Sequence, residues 1–299
     1  MALSGGAYAF FCIGELRKAV AICDRAIELA DGDPAIGGGV NYLCPYAWCH
    51  GFKGMVLAGL GELEEARHLV EQSGKIAREQ GDIEVVGFSH LHATYVEFFA
   101  GQPEVALGHA RQALEIAERI GNSWARAYAW SCLGLAEGMR GNWRQAVEAL
   151  ERSVAMAREG RTAVDGTVLA LLGESYLGLG DPERARALVA EGLEIARAQG
   201  NLGAQAGASL ALARVLLGSG GPAAREEIET ALARALELAR DTEAKALEPL
   251  VHVELAELAR RSGDEKGRER ELREAHRLFT QIGASGHAER LELELPTVS

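Results

Sequence analysis

The residues in this sequence whose types could do chemistry are few, and their spacing decides what they can do. Cys44 and Cys49 bracket "PYAW" in the stretch "CPYAWC". A zinc knuckle needs a tighter pair and a second pair after it. None follows, so both read as small apolar packing residues. "HLH" sets His90 and His92 two positions apart. On a helix that is roughly 200° of rotation, so the two do not share a metal, and His50 is too far along the chain to join them. No metal or other cofactor is expected.

Gly37, Gly38 and Gly39 lie in "AIGGGVNYLCP". A phosphate cradle needs backbone N–H groups at a helix start and a lysine, after a strand. This stretch has no Lys-Ser/Thr and no strand before it, and reads as a loop. No Gly-x-Ser-x-Gly elbow occurs to expose a serine nucleophile. The carboxylates of "EEAR" and "ERELREAHR" stand three or four residues from arginines, as on solvated ion-paired helix faces. These residues predict a chain without catalytic activity.

The elements that must hold these side chains are helices. Hydrophobic residues make up 48% of 299, aromatics only 6%, and Ala, Leu, Glu and Arg dominate, which favours helix over sheet. A formal net charge of −12 argues against a nucleic-acid partner, which asks for a basic face. No uninterrupted apolar run approaches the ~18 residues of a membrane span. Five cysteines (Cys12, Cys23, Cys44, Cys49 and Cys132) follow no secretory signal. A reduced, cytoplasmic protein is therefore expected.

Glycines mark a period. Gly14, Gly61, Gly101, Gly141, Gly180, Gly220 and Gly263 are separated by 47, 40, 40, 39, 40 and 43 residues, the signature of a solenoid. After each glycine comes a charged amphipathic helix, as in "PERARALVAEGLEIARAQ". Before it comes a more apolar one, as in "SHLHATYVEFFA" or "TVLALLGESYLGLG". Gly180 ends one helix, Asp181 caps the next, and Pro182 occupies its first turn, where its missing N–H costs nothing. Gln102-Pro103 repeats that arrangement. Gly81-Asp82, Gly121-Asn122 and Gly200-Asn201 each pair a terminator with a cap.

Leu172-Gly173, Tyr176, Gly180 and Ala185 resemble the tetratricopeptide repeat (TPR) at its own spacing. Leu133-Gly134, Gly141 and Ala146 also match, with Glu137 where the tyrosine belongs, as do Gly54, Gly61 and Ala66. The family unit is 34 residues and this one about 40, so the second helix is longer. Arg268 stands where Ala185 does in its unit, as on the polar face of a capping repeat. "RAIELADGDPAIGGGVNYLCPYAWCHGFKGMVLAGLGELEEAR" and "LREAHRLFTQIGASGHAERLELEL" resemble the C-terminal helical region of bacterial signalling proteins. In that family a class III adenylate/guanylate cyclase domain and a P-loop ATPase domain precede TPR-like repeats. The resemblance brings no catalytic residues, and the cyclase and ATPase domains would lie before Met1.

The expected fold is all-α: a TPR-like antiparallel helix-pair solenoid, by resemblance a right-handed superhelix. The repeats number about seven, at 1–31, 43–82, 83–122, 123–162, 163–201, 202–241 and 242–283, with 284–299 a C-terminal cap or tail. In TPR arrays the first helices line a concave face. By position that face would carry Trp48 and Met55, then Phe88, Leu91, Tyr95 and Phe98, then Tyr128 and Leu135, then Glu174. Exposed, they would anchor a protein or peptide partner; otherwise they pack between repeats.

The first unit lacks a polar cap, which leaves Tyr8, Phe10 and Phe11 seeking cover. Either the chain forms a homodimer through that edge, or it is a piece of something longer. The expected function is a non-catalytic interaction and regulatory module; the alternative is a sensor holding a peptide or small ligand in the groove.

Overall fold

The computed structural model describes residues 2–39, 44–160, 165–220 and 224–295. The sequence features at 40–43, in the glycine-rich stretch, and at 221–223 lie outside the described residues. Seven antiparallel pairs and a short last helix make up the described chain. They are α1 (Ala2–Cys12) with α2 (Leu16–Ala30), α3 (Pro45–Gly59) with α4 (Leu63–Glu79), α5 (Ile83–Ala100) with α6 (Pro103–Ile120), and α7 (Ser123–Met139) with α8 (Trp143–Glu159). Then follow α9 (Gly166–Gly178) with α10 (Pro182–Ala198), α11 (Leu202–Ser219) with α12 (Arg225–Asp241), α13 (Glu248–Arg261) with α14 (Glu265–Gln281), and α15 (Ser285–Glu292). The chain is an all-α solenoid.

The helix boundaries have local causes. Gly81, Gly121, Gly180 and Gly200 sit at φ +71°, +76°, +83° and +65°, which a glycine tolerates without a Cβ clash. The Asp82, Asn122, Asp181 and Asn201 side chains accept from backbone N–H groups of the following helices at 3.0–3.1 Å. Gln102 makes no such cap, and Pro103 alone marks the start of α6.

Within a unit the helices meet at small residues. A Cβ on Gly54 would stand 2.8 Å from the Ala66 carbonyl oxygen, and one on Gly173 would stand 2.8 Å from that of Ala185. This close approach is why the family spacing recurs. Odd-numbered helices also pack on one another, α3 on α5, α5 on α7, α7 on α9, α9 on α11 and α11 on α13. They form a continuous inner layer. The outer helices each bury one stripe, as in α10 with Ala185, Val189, Leu193 and Ala196. Contact on the inner side only bends the array toward that side.

The bend brings the C-terminal units back onto the N-terminal ones. α1 touches α11, and α15 touches α5. The Ala246 N–H donates to the Gly59 carbonyl at 3.1 Å. Arg17 pairs with Glu62 at 2.7 Å and reaches Glu243 at 3.5 Å. His287 meets the Phe98 carbonyl at 3.1 Å, and Arg290 donates to that of Gly101 at 3.1 Å. The first three turn glycines are clasped in this seam. A Cβ on Gly14 would lie 2.6 Å from Thr242, one on Gly61 2.7 Å from Ile282, and one on Gly101 2.6 Å from the His287 nitrogen. The same addition at Gly141, Gly180 or Gly263 would meet nothing within 4 Å.

The seam also reaches the N-terminal edge, where Tyr8, Phe10 and Phe11 stand. Phe11 is covered by its own chain, its ring 5.7 Å from that of Phe52. The Lys18 ammonium lies 5.9 Å from the Phe10 ring centre. α11 lies against α1, Phe10 and Phe11 are part-buried, and Tyr8 stays 49% exposed. Tyr8 and Phe11 face inward.

Candidate functional site

The inner helices enclose a chamber of about 350 Å³. Ten Phe, Tyr and Trp side chains among the described residues line it. Eight of them, bridged by His92, form a continuous belt across α1, α3, α5 and α7. Tyr8 and Phe11 meet Phe52, which stacks on Trp48 at 4.7 Å between ring centres. Phe52 meets His92 at 6.0 Å, and His92 meets Phe88 at 6.4 Å. Phe88 meets Trp124 at 5.5 Å, Trp124 meets Tyr128 at 5.6 Å, and Tyr128 meets Tyr95 at 6.0 Å. The repeat register builds this belt. Trp48, Phe88 and Tyr128 occupy one position 40 residues apart, so an inner layer of stacked helices puts them side by side. Most of the rings are packed, but Tyr8 and Trp124 expose 49% and 45% of their surface.

Among the expected groove residues, Trp48, Met55, Phe88, Tyr95, Phe98, Tyr128, Leu135 and Glu174 all line the chamber. Leu91 does not: it is 2% exposed and lies in the hydrophobic core. One rotation along α5 separates a wall residue from a core residue, and position in the repeat alone does not resolve that. The Tyr128 hydroxyl donates to the Met55 sulfur at 3.7 Å across the chamber wall.

The wall opposite the belt carries charge. Arg214 of α11 donates to Glu174 of α9 at 2.8 Å and to Glu254 of α13 at 2.7 Å. These three share one register position, 40 residues apart. Burial opposes the Arg214 charge, and the two carboxylates outweigh it, holding its pKa above the ordinary value. Glu174 was among the expected groove residues and its two partners were not; adding one and two repeat lengths to its number gives both. Asp165, at the start of α9, also lines the chamber. One of its oxygens accepts from the Thr167 N–H at 2.8 Å. Among the described residues it has no Lys or Arg partner. Burial raises the pKa of the Tyr8, Tyr95 and Tyr128 hydroxyls, and the Asp165 charge adds to the rise at each. All three phenols are neutral at neutral pH. So is His92, which burial pushes down to about 3.

The other chemistry-bearing residues stand apart from the chamber's polar wall. His90 turns away from His92, its Nδ1 3.0 Å from that of His109 on α6. Cys23, Cys44, Cys49 and Cys132 are buried, and the Cys44 sulfur accepts from the Ala47 N–H at the start of α3. A larger cleft of about 810 Å³ follows the seam outside the array. Turn residues and the exposed face of α4 line it, with none of the aromatic belt. Among the described residues no helix is long and apolar enough to cross a membrane.

A tetratricopeptide-repeat family model matches residues 125–198, and no curated protein matches the chain. Solved structures share the fold. The Rap conjugation gene regulator of the plasmid pLS20, in complex with the Phr* peptide, aligns over 96% of this chain and 75% of its own, at 16% identity and a TM-score of 0.71. A Rap protein complexed with Competence and Sporulation Factor aligns over 98% and 97%, at 14% identity and a TM-score of 0.61. A STAND protein (Signal Transduction ATPase with Numerous Domains) with a tetratricopeptide repeat sensor from Pyrococcus horikoshii aligns over 98% of this chain and 43% of its own, at 17% identity and a TM-score of 0.52. At these identities the likeness is one of fold.

Proposed function

We propose that this protein is a non-catalytic regulatory module that binds a peptide or small ligand in its inner chamber and acts through contacts with a protein partner. The observation that carries this reading is the enclosed aromatic chamber on the inner layer. Pockets of roughly 300–1,000 Å³, mostly apolar with a few placed polar groups, are the usual form of ligand sites. The structurally similar Rap conjugation gene regulator, solved in complex with the Phr* peptide, supports a ligand of that kind. The array joins first and last units across the seam, so a ligand that favours one seam geometry would shift its population.

The role as the repeat region of a cyclase–ATPase type signalling protein is proposed from the sequence resemblance. The fold likeness to a STAND protein with a repeat sensor supports it, and the reading frame upstream of Met1 tests it. A cytoplasmic setting is proposed on the reduced thiols.

Gly207 lines the chamber, and a Cβ there meets nothing within 4 Å. Gly207→Leu therefore projects a side chain into the chamber from a point where its Cβ displaces nothing. In a thermal-shift screen of short peptides and small molecules, ligands that raise the Tm of the wild type are expected to lose that effect in Gly207→Leu. Equal stabilisation of both proteins would move the site elsewhere. Cyclic nucleotide formed from ATP or GTP by this chain alone would overturn the non-catalytic reading.

A further inference from the structure

The chamber has two unlike walls, and their combination selects a ligand class. We infer that its ligand is a compact organic cation with a flat apolar body, held with the body on the aromatic belt and the charge toward Asp165. This rests on the chamber being the ligand site and adds the chemistry of the occupant.

Three observations carry it. The first is the belt. Trp124 and Tyr8 leave about half their surface open beside closed-packed neighbours, and aromatic faces attract cations through their quadrupole, most strongly where water is excluded. The second is the charge of the lining. Arg214 is the one Lys or Arg among the described lining residues, and it is shared between Glu174 and Glu254. That leaves the Glu174–Arg214–Glu254 group one negative charge in excess. Asp165 adds another with no cation opposite it among the described residues, and the neutral His92 adds none to offset them. An anion entering here would face repulsion; a cation meets the Asp165 carboxylate beside open aromatic faces, and the two attractions act together. The third is size. About 350 Å³ stands at the small end of the roughly 300–1,000 Å³ range of ligand pockets, which favours a small molecule over an extended peptide.

A charge-isosteric pair tests this on the intact chain. Biphenylmethyl-trimethylammonium and its neutral carbon analogue 4-neopentylbiphenyl differ only in charge. Trp48 and Trp124 line the chamber, so their emission reports occupancy, and titration calorimetry gives the affinities. The cation is expected to bind at least tenfold more tightly than the neutral analogue. Asp165→Asn keeps the helix cap, since Asn caps as well as Asp. It should weaken the cation about tenfold and leave the neutral probe unchanged. A second arm compares the tripeptide Phe-Arg-Phe with Phe-citrulline-Phe; an Arg preference larger than the ammonium preference would assign the cation to a peptide and overturn the small-molecule assignment. Equal binding of cation and neutral probe, or an Asp165→Asn effect on both alike, sinks the cation inference while leaving the chamber as a ligand site. Probe binding that persists unchanged in Gly207→Leu would instead remove the chamber itself.

Discussion

Arg214 is the residue on which the charged wall depends. It holds two carboxylates from neighbouring inner helices and keeps 28% of its side chain exposed. Removing a buried partner costs more than the pair itself contributes, because the remaining charge is left uncompensated. Here partial solvent access reduces the penalty, so Arg214→Met is expected to lose about 2 kcal/mol at neutral pH. Urea denaturation at neutral pH checks this, and a loss below about 0.5 kcal/mol would mean that solvent, not Arg214, stabilises the two carboxylates.

At the scale of the helix, glycines with the same local conformation do different work. Gly173 faces the Ala185 carbonyl across the α9–α10 contact, where an added Cβ would be 2.8 Å away. Gly207 faces open space on α11. Gly173→Ala should destabilise by about 1–3 kcal/mol through overpacking. Gly207→Ala should stabilise by up to about 1 kcal/mol, the helix-propensity gain with nothing displaced. Chemical denaturation of the two variants side by side measures both; two changes of the same sign would contradict the assigned contacts. The Gly173 case was legible in the sequence, because its spacing from Ala185 repeats in Gly54–Ala66 and Gly134–Ala146. The Gly207 case was not, since an open neighbourhood on an inner helix is a property of the curved array.

For the whole molecule the seam is the feature that makes a chamber out of a groove. His287 stacks on Phe279 at 4.5 Å between ring centres. Its Nε2–H donates to the Phe98 carbonyl, and its Nδ1 accepts from Arg290 at 2.8 Å. The contact with Arg290 requires the neutral ring, since a protonated Nδ1 cannot accept. Burial first, then the nearby Arg290 charge, push its pKa down to about 4, below the ~6.5 of an unfolded histidine. A depressed histidine stabilises the fold fully above the unfolded value, and that contribution is lost as pH falls through the folded one. The seam should therefore weaken from about pH 6.5 down to about pH 4. His287→Gln keeps a donor and cannot titrate, so its stability should fall less steeply than that of wild type across this window. Parallel slopes in pH-resolved urea melts would place the acid sensitivity at other buried histidines, such as His92.

The sequence alone determined the unit. Helix propensity, a glycine every 40 or so residues and a capping side chain beside some of the turns are local effects, and local effects can be read from short stretches of sequence. It also pointed to eight of the residues that line the chamber, because a repeat carries position from one unit to the next. Three things awaited the tertiary structure. The first is which side of an inner helix faces the cavity, the difference between Tyr95 and the core residue Leu91. The second is the partners of Glu174, one and two repeats away. The third is the closure of the array, which brings Tyr8 and Phe11 to the chamber. All three depend on superhelical curvature. That curvature is the sum of small rotations at every helix-pair contact, so no short stretch of sequence records it.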